Sequence, residues 1–227
     1  MSTPSHLPVL NGVAPLPHLG VIRALGEDAA NFLHNQLTQD VLLMKADQCH
    51  LGAFCNAKGR MQASFVYYKP NSDEVLLVCR RDVIAQTVKR LSMFVLRAKV
   101  KLTDATADFH LLGLAGDTLK AIWATIGQPS ELMQNEFANV DAWRSLRWES
   151  AQAHVLTLYP ALGQPRALML ASSTPDLSPY PALDPAHWQL GEVMSGIAWV
   201  ELATFEAFVP QMLNYESVDG VNFKKGC

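Results

Sequence analysis

The residues best suited to chemistry stand together at the end of the sequence, Lys224-Lys225-Gly226-Cys227. A thiol beside two ammonium groups is favoured as thiolate, the form that attacks electrophiles and binds metals. Cys227 is therefore a candidate reactive thiol, with Lys225 as the cation that tunes it. The same string also reads as a surface lysine pair followed by an ordinary thiol, and spacing alone does not choose between them. Just upstream, Asp219-Gly220 lies between Val218 and Val221. Asp-Gly tolerates the positive φ of a type I′ turn, so a hairpin is predicted with Val221–Phe223 as its return strand.

The other cysteines, Cys49, Cys55 and Cys79, have no Cys-x-x-Cys spacing and sit in or beside apolar, strand-like sequence. They read as reduced and mostly buried, and no group of Cys and His suggests a metal centre. A second candidate lies on a late helix. Asp184 can cap it, Pro185 suits its first turn and Gly196 its left-handed stop. Trp188 and Glu192 are one turn apart on it, with Gly191 leaving space beside them.

The rest of the chain must position these groups. Its 227 residues are 49% hydrophobic and 17% charged, enough apolar material for a real core. No apolar run reaches the ~20 residues that cross a bilayer. No leader pattern is visible, so a cytoplasmic address is expected. Residues 1–103 carry 12 Lys and Arg against 7 Asp and Glu, whereas residues 104–227 carry 6 against 14. The positive half suits an anionic partner or a solvated basic face.

Residues 1–18 hold four prolines and read as a flexible, extended arm. Leu19–Ala24 is predicted as a strand, followed by a helix through Ala29, Phe32, Leu33 and Leu37. His50–Cys55 and Met61–Tyr68 flank the turn Asn56-Ala-Lys-Gly59, and Val75–Cys79 forms a third strand. Asp82 can cap a helix carrying Val83, Val88, Leu91 and Val95, and Arg97–Leu102 alternates as a strand. Residues 104–227 echo this order: a strand at Phe109–Ala115, a helix through Ile126, strands near 143–146, 154–158 and 166–170, then a helix. An α+β fold of two related sheet-plus-helix units (ferredoxin-like), 19–103 and 104–227, is expected, each sheet with helices on one face.

Phe208-Val-Pro-Gln-Met-Leu-Asn214, Gly220–Cys227 and Gly52-Ala-Phe-Cys-Asn-Ala-Lys-Gly-Arg60 closely resemble the YgfZ family of folate-binding proteins. These are relatives of the glycine-cleavage aminomethyltransferase, GcvT. The resemblance runs from about Leu19 to the last residue and implies a GcvT-like folate-binding fold. It implies a tetrahydrofolate or one-carbon derivative as cofactor, and a role in iron-sulfur cluster assembly or repair and, through it, tRNA modification. Iron-sulfur proteins or their assembly machinery are the implied partners, with tRNA-modifying enzymes linked indirectly.

The family motif Lys-Gly-Cys-Tyr-x-Gly-Gln-Glu matches Lys225, Gly226 and Cys227, and family members continue into a C-terminal β-barrel that is expected to be missing here. The family's folate-contacting Trp falls on Trp188, and its other contacting position falls on Leu19, where some members have Trp. Aminomethyltransferases carry a pterin-holding Glu where Met194 stands and a catalytic Asp where this chain has Met61-Gln-Ala-Ser64. The alternative function, aminomethyl transfer, therefore lacks its carboxylate. An RNA-interacting module is a third reading.

Overall fold

Asn56-Ala-Lys-Gly59 turns the chain as its residue types require. Asn56 Oδ1 accepts from the backbone N–H of Lys58 at 2.9 Å and of Arg60 at 3.1 Å. Gly59 takes φ +73°, a left-handed conformation open to a residue without Cβ. In the computed structural model, which describes residues 9–126 and 142–225, this turn closes the hairpin at one edge of the first of two five-stranded antiparallel sheets.

The first part of the chain runs β1 (Gly12–Pro15), β2 (Leu19–Leu25), α1 (Ala29–His34), β3 (Cys49–Cys55), β4 (Met61–Asn71), β5 (Glu74–Arg80), α2 (Ile84–Ser92) and β6 (Lys101–Asp104). The second runs β7 (His110–Ala115), α3 (Gly116–Thr125), β8 (Ser145–Trp148), β9 (Ala153–Ala161), β10 (Gln164–Ala171) and α4 (Pro185–Ser195). One sheet has the order β3-β4-β5-β2-β6 and the other β8-β9-β10-β7-β1. The two orders correspond strand for strand, except at one edge. There β6 follows its unit in sequence, whereas β1 precedes its own. The repeat that was faint in sequence is thus clear in topology.

β1 comes from the proline-bearing segment expected to be an arm. Among the strands it pairs with β7, Gly12 opposite Ala115 and Pro15 opposite Leu112, and on its outer side Val13 makes a single bridge to Ala182. A proline cannot donate to a ladder, so an edge strand is where it is tolerated.

The strands of the first sheet are apolar on both faces because both faces are covered. Leu76 and Val78 of β5 point into a core shared with the second sheet, while Val75, Leu77 and Cys79 point the other way, under α1 and α2. On β10, Leu168 and Leu170 enter the shared core, and Ala167, Met169 and Ala171 face α3. Two sheets therefore stack face to face, with α1 and α2 outside one and α3 outside the other.

The expectation that helices keep to one face of each sheet fails at α4. Trp188 belongs to the shared core and packs against Gly113 of β7, where a Cβ would lie 2.6 Å from the ring. The missing side chain at Gly113 opens a slot on the inner face, and α4 fills it. Its cap is as expected: Asp184 Oδ1 accepts from Ala186 N–H at 2.8 Å, and Gly196 has φ +77°.

Three local expectations are corrected. Asp82 does not cap α2; its carboxylate accepts from Leu202 N–H at 3.0 Å instead. The first helix stops at His34, and Leu37 forms a bridge with Phe54. The hairpin at Asp219-Gly220 is replaced by a 3-10 turn over Tyr215–Val218, with Gly220 N–H donating to Tyr215 O at 2.7 Å. Tyr215 is the reason. Its buried ring lies where a Cβ on residue 220 would be, 2.4 Å away, and its hydroxyl donates to Ala198 O at 2.5 Å. The ring thus holds the turn against the core and leaves no strand to pair with.

Candidate functional site

Helix α4 places Trp188 and Glu192 on one face, and β10 brings Arg166 to meet them. All three are buried. The Arg166 guanidinium lies 4.5 Å from the Trp188 ring centre, a cation–π distance. Its Nη1 donates to Gly191 O at 2.9 Å, and Nε has no partner. Gly191 makes this approach possible, since a Cβ there would lie 3.4 Å from Arg166 Nε and 3.1 Å from Leu10. Burial pulls the Arg166 guanidinium down to about 10, and the charge of Glu192 opposes that.

The Trp188 indole N–H donates to Glu192 Oε1 at 3.2 Å. Burial raises the Glu192 carboxyl above its ordinary range, against the pull of Arg166, the Trp188 indole and Arg80. Trp199 adds a weaker pull, although its Nε1 stands outside hydrogen-bond geometry. A buried carboxyl raised by burial beside a charged partner is a common mark of a functional site.

Glu192 opens onto a cleft of about 480 Å³ whose other walls include Arg80, Gln189, Ile197, Trp199 and Glu201. Arg80 ends β5 of the first sheet and pairs with Glu201 at 2.6 Å. The cleft is therefore walled by both halves of the chain. Leu19 pairs directly with Arg80 across β2 and β5, so the start of β2 borders this wall. Its own side chain is buried in the shared core and also lines a separate cleft with Leu16, Pro17 and Phe109.

Leu19 and Trp188 thus share one core. Trp188 is 0% exposed, so a flat ring could lie on it only by displacing Arg166 or Gly113. Lys225 is anchored elsewhere, with its ammonium on Leu37 O. That segment docks on the loop after α1: Thr38 Oγ1 donates to Gly220 O at 2.7 Å, and Asn222 N–H to Thr38 O at 2.9 Å. Cys227 lies outside the described residues. Among the described cysteines, Cys49 and Cys79 are buried and pushed well above the usual thiol range, and burial raises Cys55 to about 11. All three are protonated at neutral pH.

At the strand position expected to lack a carboxylate, Ser64 is fully buried and its Oγ accepts from Val200 N–H at 2.8 Å. It serves to fix the segment that follows α4. Nearby, Glu206 arrives from that segment and accepts from Gln62 Nε2 at 2.6 Å. Sequence reading did not single out Arg166. The available signal was a lone cation immediately before the apolar run from Ala167 to Ala171.

Residues 11–158 match the family model of the GCVT N-terminal domain. The chain belongs to that family. Its resemblance to YgfZ proteins is also borne out. It is 28% identical over 217 residues to the tRNA-modifying protein YgfZ of Vibrio vulnificus, covering 95% of this chain and 62% of that one. The figures for the tRNA-modifying protein YgfZ of Photobacterium profundum are 28% over 215 residues, 92% and 60%. The chain thus spans about 60% of the length of these relatives. Among solved structures, the glycine cleavage system aminomethyltransferase T from Bartonella henselae superposes with a TM-score of 0.58 at 16% identity, over 73% of this chain and 43% of that one. That likeness is one of fold, a GcvT-like one with two antiparallel sheets. No helix among the described residues is long and apolar enough to cross a membrane.

Proposed function

We propose that this chain acts as a YgfZ-type tRNA-modification protein that binds tetrahydrofolate or a one-carbon derivative and assists iron-sulfur cluster assembly or repair. The observation that carries this reading is the match to tRNA-modifying YgfZ proteins over 95% of the chain. The cleft beside α4 supports its folate part. Its volume lies within the ~300–1,000 Å³ typical of small-ligand sites. Glu192 has one oxygen held by Trp188, which leaves acceptor capacity facing the cleft. An ionised carboxylate accepts two parallel N–H bonds, and the amino-pyrimidinone edge of a pterin offers that pair. The residues present therefore fit the group.

In this reading Glu192 binds the pterin edge, and Trp188 positions Glu192. Leu19 backs the wall that Arg80 forms. Bound tetrahydrofolate would supply a one-carbon carrier. Cys227, with Lys225 two residues before it, supplies the reactive thiolate. Aminomethyl transfer is not proposed, because the buried Ser64 stands in place of a carboxylate.

Calorimetric titration of the chain with tetrahydrofolate at pH 7.5 is expected to show binding that Glu192→Gln weakens at least tenfold, the usual scale for a lost charged hydrogen-bond pair. Absent binding by the parent chain, or an unaffected variant, would overturn the folate site. For the thiol, Cys227→Ala is expected to abolish rescue of iron-sulfur enzyme activity in cells lacking the endogenous protein. Full rescue would remove Cys227 from the mechanism.

A further inference from the structure

Residues 83–103, from just before α2 into β6, contain five cations (Lys89, Arg90, Arg97, Lys99 and Lys101) and no carboxylate, with Asp104 directly after them. All five are exposed. Only Lys99 is held in an ion pair among the described residues, with Glu27 at 2.5 Å. Asp28, whose carboxylate accepts from Lys99 N–H at 2.7 Å, and Glu206, near Arg90, also face this region. Helix α2 buries Ile84, Thr87 and Leu91, which turns Lys89 and Arg90 outward. Beyond the helix, Met93, Phe94 and Leu96 are 64%, 48% and 88% exposed between those cations and Arg97.

A second exposed segment is tied to this one through the end of the first sheet. Phe94 packs edge-on against Phe54 at 6.4 Å, Phe54 bridges to Leu37, and Leu37 O accepts from Lys225. Two residues before Lys225, Phe223 is 70% exposed, followed by the exposed Lys224. Through the buried Phe54 and Leu37, these contacts tie together two segments that each carry an exposed phenylalanine beside cations.

We propose that this end of the first sheet, centred on Phe94 and Phe223 with Lys89, Arg90, Arg97 and Lys224, binds single-stranded RNA. Cations without partners neutralise phosphates and release counterions, while exposed rings stack on unpaired bases, which duplexes do not offer. Exposed apolar groups ringed by cations would also suit an anionic lipid surface. The two separately placed phenylalanines favour unstacked bases. The proposal does not rest on the folate reading, since none of these residues lines the Glu192 cleft.

Fluorescence anisotropy of the chain with a labelled oligo(U) 12-mer tests it, alongside a 12-base-pair RNA duplex and vesicles of phosphatidylglycerol and phosphatidylcholine. The single strand is expected to bind best, with affinity falling linearly on a log–log salt plot. Lys89→Glu with Arg97→Glu should weaken binding more than tenfold at 50 mM salt and flatten the slope by about 1.4, at about 0.7 per phosphate contact. Phe94→Ala with Phe223→Ala should weaken it about tenfold or more while leaving the salt slope unchanged. Both pairs are exposed, and thermal melting checks that they fold. Binding to vesicles but not RNA, equal affinity for duplex, or wild-type affinity in folded variants of either pair would overturn the proposal.

Discussion

Trp188→Ala is expected to lower the unfolding free energy by about 3–5 kcal/mol, read from the shift in urea midpoint at constant slope. The indole is fully buried against Gly113, so truncation leaves a cavity in the core that both sheets share. Two further losses add to the cavity. Arg166 loses the ring beneath its guanidinium, and Glu192 loses its N–H donor, leaving two buried charged groups less compensated. Trp188→Phe separates these contributions. It keeps an aromatic face for Arg166 but no donor for Glu192, and is expected to cost about 1–3 kcal/mol. A change below ~1 kcal/mol for Trp188→Ala would show that α4 is not held by this slot. If Trp188 serves ligand binding through Glu192, Trp188→Phe should weaken folate binding in parallel with Glu192→Gln.

What could be read in advance follows from how local the determinants are. Asp184, Pro185 and Gly196 delimit α4 by contacts within a turn of their own positions, and those bounds stand in the structure. Likewise, Asn56 and Gly59 form their turn without outside help. The face of the sheet on which α4 lies is another matter. It depends on Gly113 and Arg166, which are 75 and 22 residues away from Trp188 in sequence, and no periodicity within the helix reports them. Asp219-Gly220 shows the opposite failure. Its dipeptide preference is real, and Asp219 does take φ +59°. Tyr215 overrides the hairpin, however, because burying a tyrosine ring outweighs the gain from pairing three residues. The candidate site divides in the same way. Trp188 and Glu192 were legible as neighbours at helical spacing, while the cleft they border exists only because Arg80 and Glu201 arrive from distant segments.

The same sheet-to-sheet contact sets how the protein responds to acid. His154 of β9 packs its ring 4.7 Å from that of Tyr68 on the opposing sheet. Arg147 of its own sheet, Glu149 of the turn between β8 and β9, and Glu74 of the other sheet also face it. Burial and Arg147 hold the imidazole neutral, lowering it to about 4, while Glu149 and Glu74 act weakly the other way. In the unfolded chain it titrates near its ordinary value of about 6.5. Above that value neither state is protonated, and the contribution to stability is fully present. As pH falls from 6.5 the unfolded chain takes up a proton that the native state refuses, and stability declines until the native imidazole titrates near 4. The loss over that window is about 2–3 kcal/mol.

Unfolding free energies measured between pH 7.5 and 4 should therefore fall, and His154→Gln should flatten that fall. A residual slope is expected, because burial lowers His18 and His50 as well. An unchanged slope in His154→Gln would place the acid sensitivity elsewhere. Because His154 and Tyr68 stand on opposite sheets, charging the imidazole acts on the interface between the halves of the chain. Loss of near-ultraviolet dichroism with far-ultraviolet dichroism retained, as the sheets separate before they unravel, is the expected accompaniment.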